Sequence, residues 1–167
     1  MDLRRCRPDE LEAIGRVINA AAEAYRGVIP ADCWTEPYMP AEALRREVAH
    51  GVVFRGAFDV ERLVGVMGSQ DVEDVTLIRH AYVRPGHQRQ GIGGALLAEQ
   101  VRRVERPVLV GTWRAASWAI AFYERHGFRR VPGDRRARLL RRYWSIPERQ
   151  IEESVVLADE RWCDTRA

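Results

Sequence analysis

The sequence YVRPGHQRQGIGGALL, residues 82–97, carries the clearest structural signal in the chain. The apolar segment Val75 to Val83 leads into it and is typical of a strand, which Pro85 ends because proline cannot donate a ladder hydrogen bond. Apolar residues at helical spacing follow and predict a helix over about 91–104. The segment is therefore expected to form a strand, a loop and a helix in succession.

The loop in this segment has the features of an anion site. Gly91, Gly93 and Gly94 remove side-chain bulk, so that backbone N–H groups can approach a ligand closely. The first N–H groups of a helix have no internal partner and carry partial positive charge. These features favour a pyrophosphate, and positive potential around it would come from Arg84, His87 and Arg89.

Two common phosphate-binding loops do not match the segment. A Walker loop requires Gly-Lys-Ser/Thr, and this chain contains no lysine. A dinucleotide fingerprint requires a third glycine where Leu96 stands, and an acidic residue about 20 positions later in a second βαβ unit. Neither feature is present.

A different pattern, Gln/Arg-x-x-Gly-x-Gly/Ala, is present at residues 88–93 as QRQGIG. It resembles the acetyl-coenzyme A motif of the GNAT superfamily of N-acetyltransferases, and the preceding Tyr82-Val83-Arg84-Pro85 resembles that family's strand end. Downstream, residues 118–128 (WAIAFYERHGF) are similar to the family's A-I-x-F-Y-E-x-x-G-F helix. The order of elements over roughly residues 1–160 is similar as well.

The resemblance implies acetyl-coenzyme A as cosubstrate. Its pyrophosphate would lie on the loop amides, and its pantetheine arm would run beside the strand, with the thioester carbonyl near the N–H of Ala81. The alternative is a tight turn that only joins strand to helix. The implied cofactor-binding residues are Ala81, Tyr82, Val83, Gln88, Arg89, Gln90, Gly91, Ile92, Gly93, Gly94 and Ser117.

The resemblance also implies catalytic residues. Tyr123 matches the family's usual general acid, which protonates the departing thiolate; helical periodicity alone would make it a core aromatic. Relatives often place a glutamate base where this chain has Leu77, so His80 is the substitute candidate, with a water chain or Glu36 as alternatives. Many relatives carry asparagine at the position of Ala116, for which Arg114 or Ser117 would have to compensate.

The acceptor site is expected from the segment between the first two helices. Trp34, Glu36 and Tyr38, with Trp144 as a further candidate, would offer aromatic walls and an acid to an amine, unless they are core packing. The implied reaction is acetyl transfer by direct attack in a ternary complex. The acceptor would be a primary amine of a small metabolite, an antibiotic-like compound or a protein N-terminus. The alternative is a non-catalytic acyl-coenzyme A sensor or interaction module.

The expected fold is an α/β mixed sheet of the GNAT type, with an antiparallel N-terminal meander, a parallel centre with a βαβ crossover, and helices on both faces. One N-acetyltransferase domain over residues 1–167 is expected. The predicted helices are 11–25, 40–50, 91–104 and 117–126, and the predicted strands are 52–58, 63–69, 75–83, 108–113, 128–131 and 151–158, with 135–143 as a short helix or an extended arm.

The amino-acid composition excludes several other classes of protein. Hydrophobic residues make up 46% and charged residues 31%, as in globular domains. No apolar run suits a signal peptide or a bilayer span, so a cytoplasmic protein that does not bind membranes is expected. Three scattered cysteines and four scattered histidines predict neither disulfides nor a metal site. Acids interleave with the arginines, so nucleic acid is not an expected partner, whereas exposed sheet edges make a homodimer plausible.

Overall fold

The computed structural model describes residues 1–163 as a mixed sheet with helices on both faces. Its strands are β1 (Asp2–Arg5), β2 (Val53–Asp59), β3 (Arg62–Val72), β4 (Val75–Val83), β5 (Val108–Trp113), β6 (Arg129–Arg130) and β7 (Ser154–Ala158). Its α-helices are α1 (Leu11–Ala22), α2 (Ala41–Ala49), α3 (Ile92–Arg102), α4 (Ser117–Arg125), α5 (Gly133–Tyr143) and α6 (Glu148–Glu152). The expected single domain extends to residues 164–167, which lie outside the described residues.

The sheet has the order β1-β2-β3-β4-β5-β7-β6. β2, β3 and β4 form an antiparallel meander, and β4 and β5 are the parallel pair, joined through α3. β7 then inserts antiparallel between β5 and β6. The expected mixed sheet with a parallel centre is thus confirmed.

The core lies on both faces of this sheet. On one face α3 and α4 pack Leu96 and Ile120 against Ile78 of β4. On the other face α1 and α2 cover the N-terminal strands, while α5 covers the C-terminal strands with residues such as Leu140. The burial of these apolar side chains supplies most of the stabilisation of the fold, at about 25 cal/mol per Å² of buried apolar surface.

The structure differs from the sequence prediction at β1 and at the start of the last strand. β1 was not predicted, because Leu3 is its one apolar residue; it forms as an edge strand through pairing with β2. The strand predicted over 151–158 is wrong in its first part, where Ile151 belongs to the short helix α6 that starts after Pro147. Proline favours a helix start, and β5 offers pairing partners to β7 from Ser154 onward. The segment left open as helix or arm is the helix α5.

No helix within residues 1–163 combines the length and apolar composition needed to cross a bilayer.

Candidate active site

A gap opens between the two parallel strands at the centre of the sheet. The pairing of β4 with β5 runs from Thr76 opposite Val108 to Ile78 opposite Val110 and then stops. β4 nevertheless continues to Val83, bonded to β3, and β5 continues to Trp113, bonded to β7. Beyond these pairs, the facing edges of β4 and β5 are therefore not hydrogen-bonded to each other. Their backbone N–H and C=O groups can bind a ligand instead.

A β-bulge in β4 determines which backbone groups point into this gap. The register passes from Gly68 opposite Arg79 to Val66 opposite Tyr82, so that β4 has one extra residue, and His80 has φ 53°. Such an extra residue shifts the alternation of a strand by one position.

The orientation of the strand end follows from two hydrogen bonds. Thr76 N–H donates to Pro107 O on the β5 side (2.9 Å), whereas Arg84 N–H donates to Val64 O on the β3 side (2.8 Å). Because alternate residues of a strand direct their backbone groups to opposite edges, Ala81 and Val83 direct theirs toward the gap. Tyr82 faces β3 with its backbone, so it contributes its side chain to the site.

The glycine-bearing loop follows the end of β4, beyond the last residue that pairs with β5. Arg89 and Gly91 adopt left-handed φ values of 60° and 79°, and Gly91 is the N-cap of α3. The first helical hydrogen bond runs from Ala95 N–H to Gly91 O (3.0 Å). Within residues 1–163, the N–H groups of residues 89 to 94 have no backbone acceptor. This is the arrangement that a pyrophosphate requires at a helix N-terminus.

Several polar side chains of the loop maintain its shape. Gln88 Nε2 donates to Val83 O at 3.1 Å, which ties the loop to the strand end. Arg84 Nε donates to Leu63 O at 3.0 Å, and Gln90 Nε2 lies 3.5 Å from Gly86 O. Arg89, by contrast, is exposed. The side chains of Gln88, Arg84 and Gln90 are therefore engaged with the backbone of the loop and the adjoining strands.

The two sequence motifs meet where α3 packs against α4. A Cβ atom at Gly94 would lie 2.7 Å from His126 Nε2, and one at Gly93 would lie 3.3 Å from the Phe122 ring. Glycine at position 93 thus keeps α3 close to the Phe122 ring, and a side chain at position 94 would displace the exposed imidazole of His126. This contact holds α4, and with it Tyr123, beside the loop. Ser117, the first residue of α4, is exposed.

Tyr123 is 5% exposed and packs its ring edge-on against Phe122 and Phe128. Burial raises the pKa of its phenol well above the usual value, and the nearby phenol of Tyr25 raises it further. Tyr123 lies with α3 and α4 on one face of the sheet, and Tyr25 packs with the α1 side on the other. Tyr123 and Tyr25 thus belong to different core clusters, and their phenols are near enough to interact electrostatically.

An aromatic cavity of about 110 Å³ occupies the α1 and α5 side of the gap. Trp113 Nε1 donates to the Tyr38 hydroxyl at 2.9 Å, and Tyr25 packs against Tyr38 with ring centroids 5.6 Å apart. Trp144 lies on the opposite side of the cavity and contacts Gly111 of β5. No carboxylate of residues 1–163 lines this cavity, and Arg79 is its one cationic side chain.

The residues expected to bind the amine substrate differ in their position relative to the cavity. Tyr38 lines the cavity, and Trp34 stacks behind it with ring centroids 5.6 Å apart. Glu36 is exposed and bonded to Arg26 (2.6 Å) and to Trp34 Nε1 (3.3 Å), outside the cavity lining. Tyr25, at the end of the helix predicted over 11–25, and Trp113, in β5, have the spacing of core residues, so nothing in the sequence marks them as site residues.

The expected base, His80, lies on the bulge and lines the cavity, with Nε2 2.8 Å from Glu47 Oε2. Leu77, at the position where relatives place glutamate, is fully buried and packs on the α5 side. Ala116 is also fully buried and packs near Tyr25.

Comparison with protein families matches residues 49–130 to the acetyltransferase (GNAT) domain. Among solved structures, the PaiA N-acetyltransferase of Thermoplasma acidophilum in complex with coenzyme A is similar, with 18% identity and TM-score 0.70 over 95% of this chain and 97% of that chain. A GNAT-family acetyltransferase of Staphylococcus aureus Mu50 has 14% identity and TM-score 0.71 over 96% and 99%. The ribosomal-protein-S18-alanine N-acetyltransferase of Escherichia coli has 16% identity and TM-score 0.66 over 95% and 92%. Comparison with curated protein sequences gives no significant match.

Proposed function

Since this chain belongs to the GNAT superfamily of acyltransferases, we propose that it transfers an acetyl group from acetyl-coenzyme A to a primary amine by direct attack in a ternary complex. The observation that carries this proposal is the gap between β4 and β5. It brings together unpaired backbone groups, the phenol of Tyr123 and an aromatic cavity.

Binding of the cosubstrate is assigned to backbone groups. The N–H groups of residues 89 to 94 bind the pyrophosphate, with Arg89 adding positive charge at the surface. The gap-facing groups of Ala81 and Val83 bind the pantetheine arm. The N–H of Ala81 then donates to the thioester carbonyl, where negative charge develops during attack.

The side chains move the protons. His80 accepts a proton from the amine, a C–N bond forms as the C–S bond breaks, and Tyr123 donates its proton to the departing sulfur. The same burial that raises the pKa of Tyr123 raises the proton affinity of a thiolate in the gap. The buried phenol therefore remains a suitable acid for this leaving group.

The cavity favours an acceptor with one amine and a flat apolar body. Its walls are Tyr25, Tyr38, Trp113 and Trp144, and aromatic faces attract an ammonium group weakly. Two acids of the segment before Tyr38 lie outside the cavity lining and are paired, Glu36 with Arg26 (2.6 Å) and Asp32 with Arg149 (2.8 Å). A polycation would find no unpaired carboxylate in the cavity lining, so an aromatic monoamine or an apolar peptide N-terminus is the better acceptor.

The first experiment is calorimetric titration with coenzyme A, followed by an amine screen with acetyl-coenzyme A that measures thiol release. We expect saturable binding and higher kcat/KM for arylalkylamines than for polyamines or aminoglycosides. No binding of coenzyme A would refute the proposal. Binding without turnover on any amine class would instead support a non-catalytic acyl-coenzyme A sensor.

Tyr123→Phe tests the acid. Removing a general acid typically costs on the order of 10²–10⁴ in rate, whereas the ring and its packing remain. We expect kcat to fall by about that factor with the Kd for coenzyme A unchanged. A variant that keeps the wild-type kcat would remove Tyr123 from the mechanism.

A further inference from the structure

The side chains of Glu47 and His80 form a close pair at the β-bulge of β4. His80 Nε2 lies 2.8 Å from Glu47 Oε2, and the two side chains are 15% and 25% exposed. The imidazole also stacks on Phe54 of β2, with ring centroids 6.0 Å apart and an interplanar angle of 29°. The ring of His80 is thus held at one nitrogen and on one face.

We propose that Glu47 is a positioning residue, which holds the His80 imidazole in the orientation and tautomer needed to take a proton from the acceptor amine. This inference rests on the proposed function, in which His80 is the base. Nothing in the sequence distinguishes Glu47, which is one of several charged residues of α2.

The chemistry of the pair determines which ring nitrogen is basic. Burial disfavours the charged form of Glu47, but its hydrogen bond with His80 and the charge of Arg79 outweigh burial and lower its pKa. An ionised carboxylate can only accept, so a neutral His80 must carry its proton on Nε2. Nδ1 then carries the lone pair, and no hydrogen bond involving Nδ1 occurs within residues 1–163.

The carboxylate also acts after proton transfer. When Nδ1 accepts a proton, the resulting imidazolium lies next to Glu47, which stabilises the positive charge, as the aspartate does in a Ser-His-Asp triad.

Other groups around Glu47 and His80 also act on the charge of the Glu47 carboxylate. Arg79 Nη2 bonds to the same Glu47 oxygen at 2.9 Å, and its Nη1 donates to Gln70 Oε1 at 3.0 Å. His50, at the end of α2, acts on Glu47 electrostatically. Phe54 of β2 and Gln70 of β3 carry no charge. Arg79 weakens the effect of Glu47 on His80, and it also supplies the competing explanation, in which Glu47 only neutralises a buried arginine.

A double-mutant cycle separates these explanations. The variants are Glu47→Gln, His80→Asn and the double variant; asparagine is chosen because it tolerates the left-handed φ of position 80. We expect His80→Asn to lower kcat by on the order of 10²-fold or more. Glu47→Gln should lower kcat by at least about tenfold, since loss of a carboxylate that orients a catalytic histidine can cost up to about 10⁴.

The kcat of the double variant distinguishes the two explanations. If Glu47 acts through His80, the double variant is within about twofold of His80→Asn alone, because the interaction is already lost. Multiplying effects would show that Glu47 only supports the fold through Arg79, and would overturn the proposal. The Kd for coenzyme A should stay at the wild-type value in all three variants, which shows that they are folded.

A spectroscopic readout does not depend on a structural role. Nitrogen NMR of the imidazole should show the Nε2–H tautomer in the wild-type protein. This spectrum tests the pair even if no amine is turned over, so a failure of the proposed function is distinguishable from a failure of this inference.

Discussion

Gly65 of β3 lies under the first turn of α3 and controls how close that helix comes to the sheet. A Cβ atom at this position would lie 2.9 Å from Ile92 Cγ2, 3.3 Å from Leu96 Cδ1 and 3.4 Å from Val83 Cγ2. Ile92 and Leu96 are 3% and 0% exposed, so neither can move into solvent. The replacement Gly65→Ala must therefore push the start of α3 away from the sheet.

The size of the stability loss in Gly65→Ala follows from this crowding. Insertion of a methyl group into a close-packed core costs about 1–3 kcal/mol, from which the better strand propensity of alanine subtracts roughly 0.5–1 kcal/mol. We expect a net loss in the free energy of unfolding of about 0–2.5 kcal/mol, near 1 kcal/mol at the centre of that range. Because Ile92 directly follows the N-cap Gly91, the loop amides shift as well. We expect the Kd for coenzyme A to rise about tenfold, which corresponds to about 1.4 kcal/mol.

Urea denaturation and calorimetric titration measure the two effects. Gly133→Ala is the matched control, because its Cβ would meet nothing within 4 Å and we expect no loss of stability or affinity. Ile92→Leu in the Gly65→Ala background removes the crowding Cγ2 atom at constant volume and should restore part of both losses. If Gly65→Ala is as stable as the wild type and binds coenzyme A equally well, the packing argument is refuted.

Three further predictions concern the site and the pH dependence of stability. Gly94→Ala places a Cβ 2.7 Å from His126 Nε2, so the Kd for coenzyme A should rise, and His126→Ala in the same chain should reverse the rise; persistence of the defect would show another cause. Tyr38→Phe removes the acceptor of Trp113 Nε1, which should raise the KM for the amine with the Kd for coenzyme A unchanged, as steady-state kinetics would show. The hydrogen bond with Arg4 lowers the pKa of Glu10 to about 2, so its contribution to stability is present above about pH 4.5 and is lost as the pH falls toward 2. Thermal melts from pH 6 to pH 2 should therefore fall less steeply for Glu10→Gln than for the wild type, and parallel curves would contradict this assignment.

Much of the fold was predictable from the sequence, because the decisive features are local. Pro85 ends β4, Gly91 takes a left-handed φ of 79° at the start of α3, and Gly127 takes one of 87° after α4. These conformations depend on the residue itself and its nearest neighbours, so a reader of the sequence can infer them. The strand–loop–helix unit and its place at the parallel centre of the sheet followed from such signals. The roles of the candidate site residues stay predictions.

Pairing between distant segments decided the rest. β1 is a strand because β2 accepts it as an edge partner, and the gap exists because β4 leaves β5 after Ile78 to follow β3. Glu47 reaches His80 across 33 positions of the chain, and Tyr38 reaches Trp113 across 75.

The sequence by itself thus determined the glycine-bearing loop and the order of most elements, since backbone stereochemistry and helical or strand spacing are properties of short segments. The tertiary structure alone decided which phenols and indoles surround the gap and which carboxylate reaches His80. In the sequence these residues have the periodicity of ordinary core or surface positions, and only the packing of α1, α2 and α5 against the sheet brings them together.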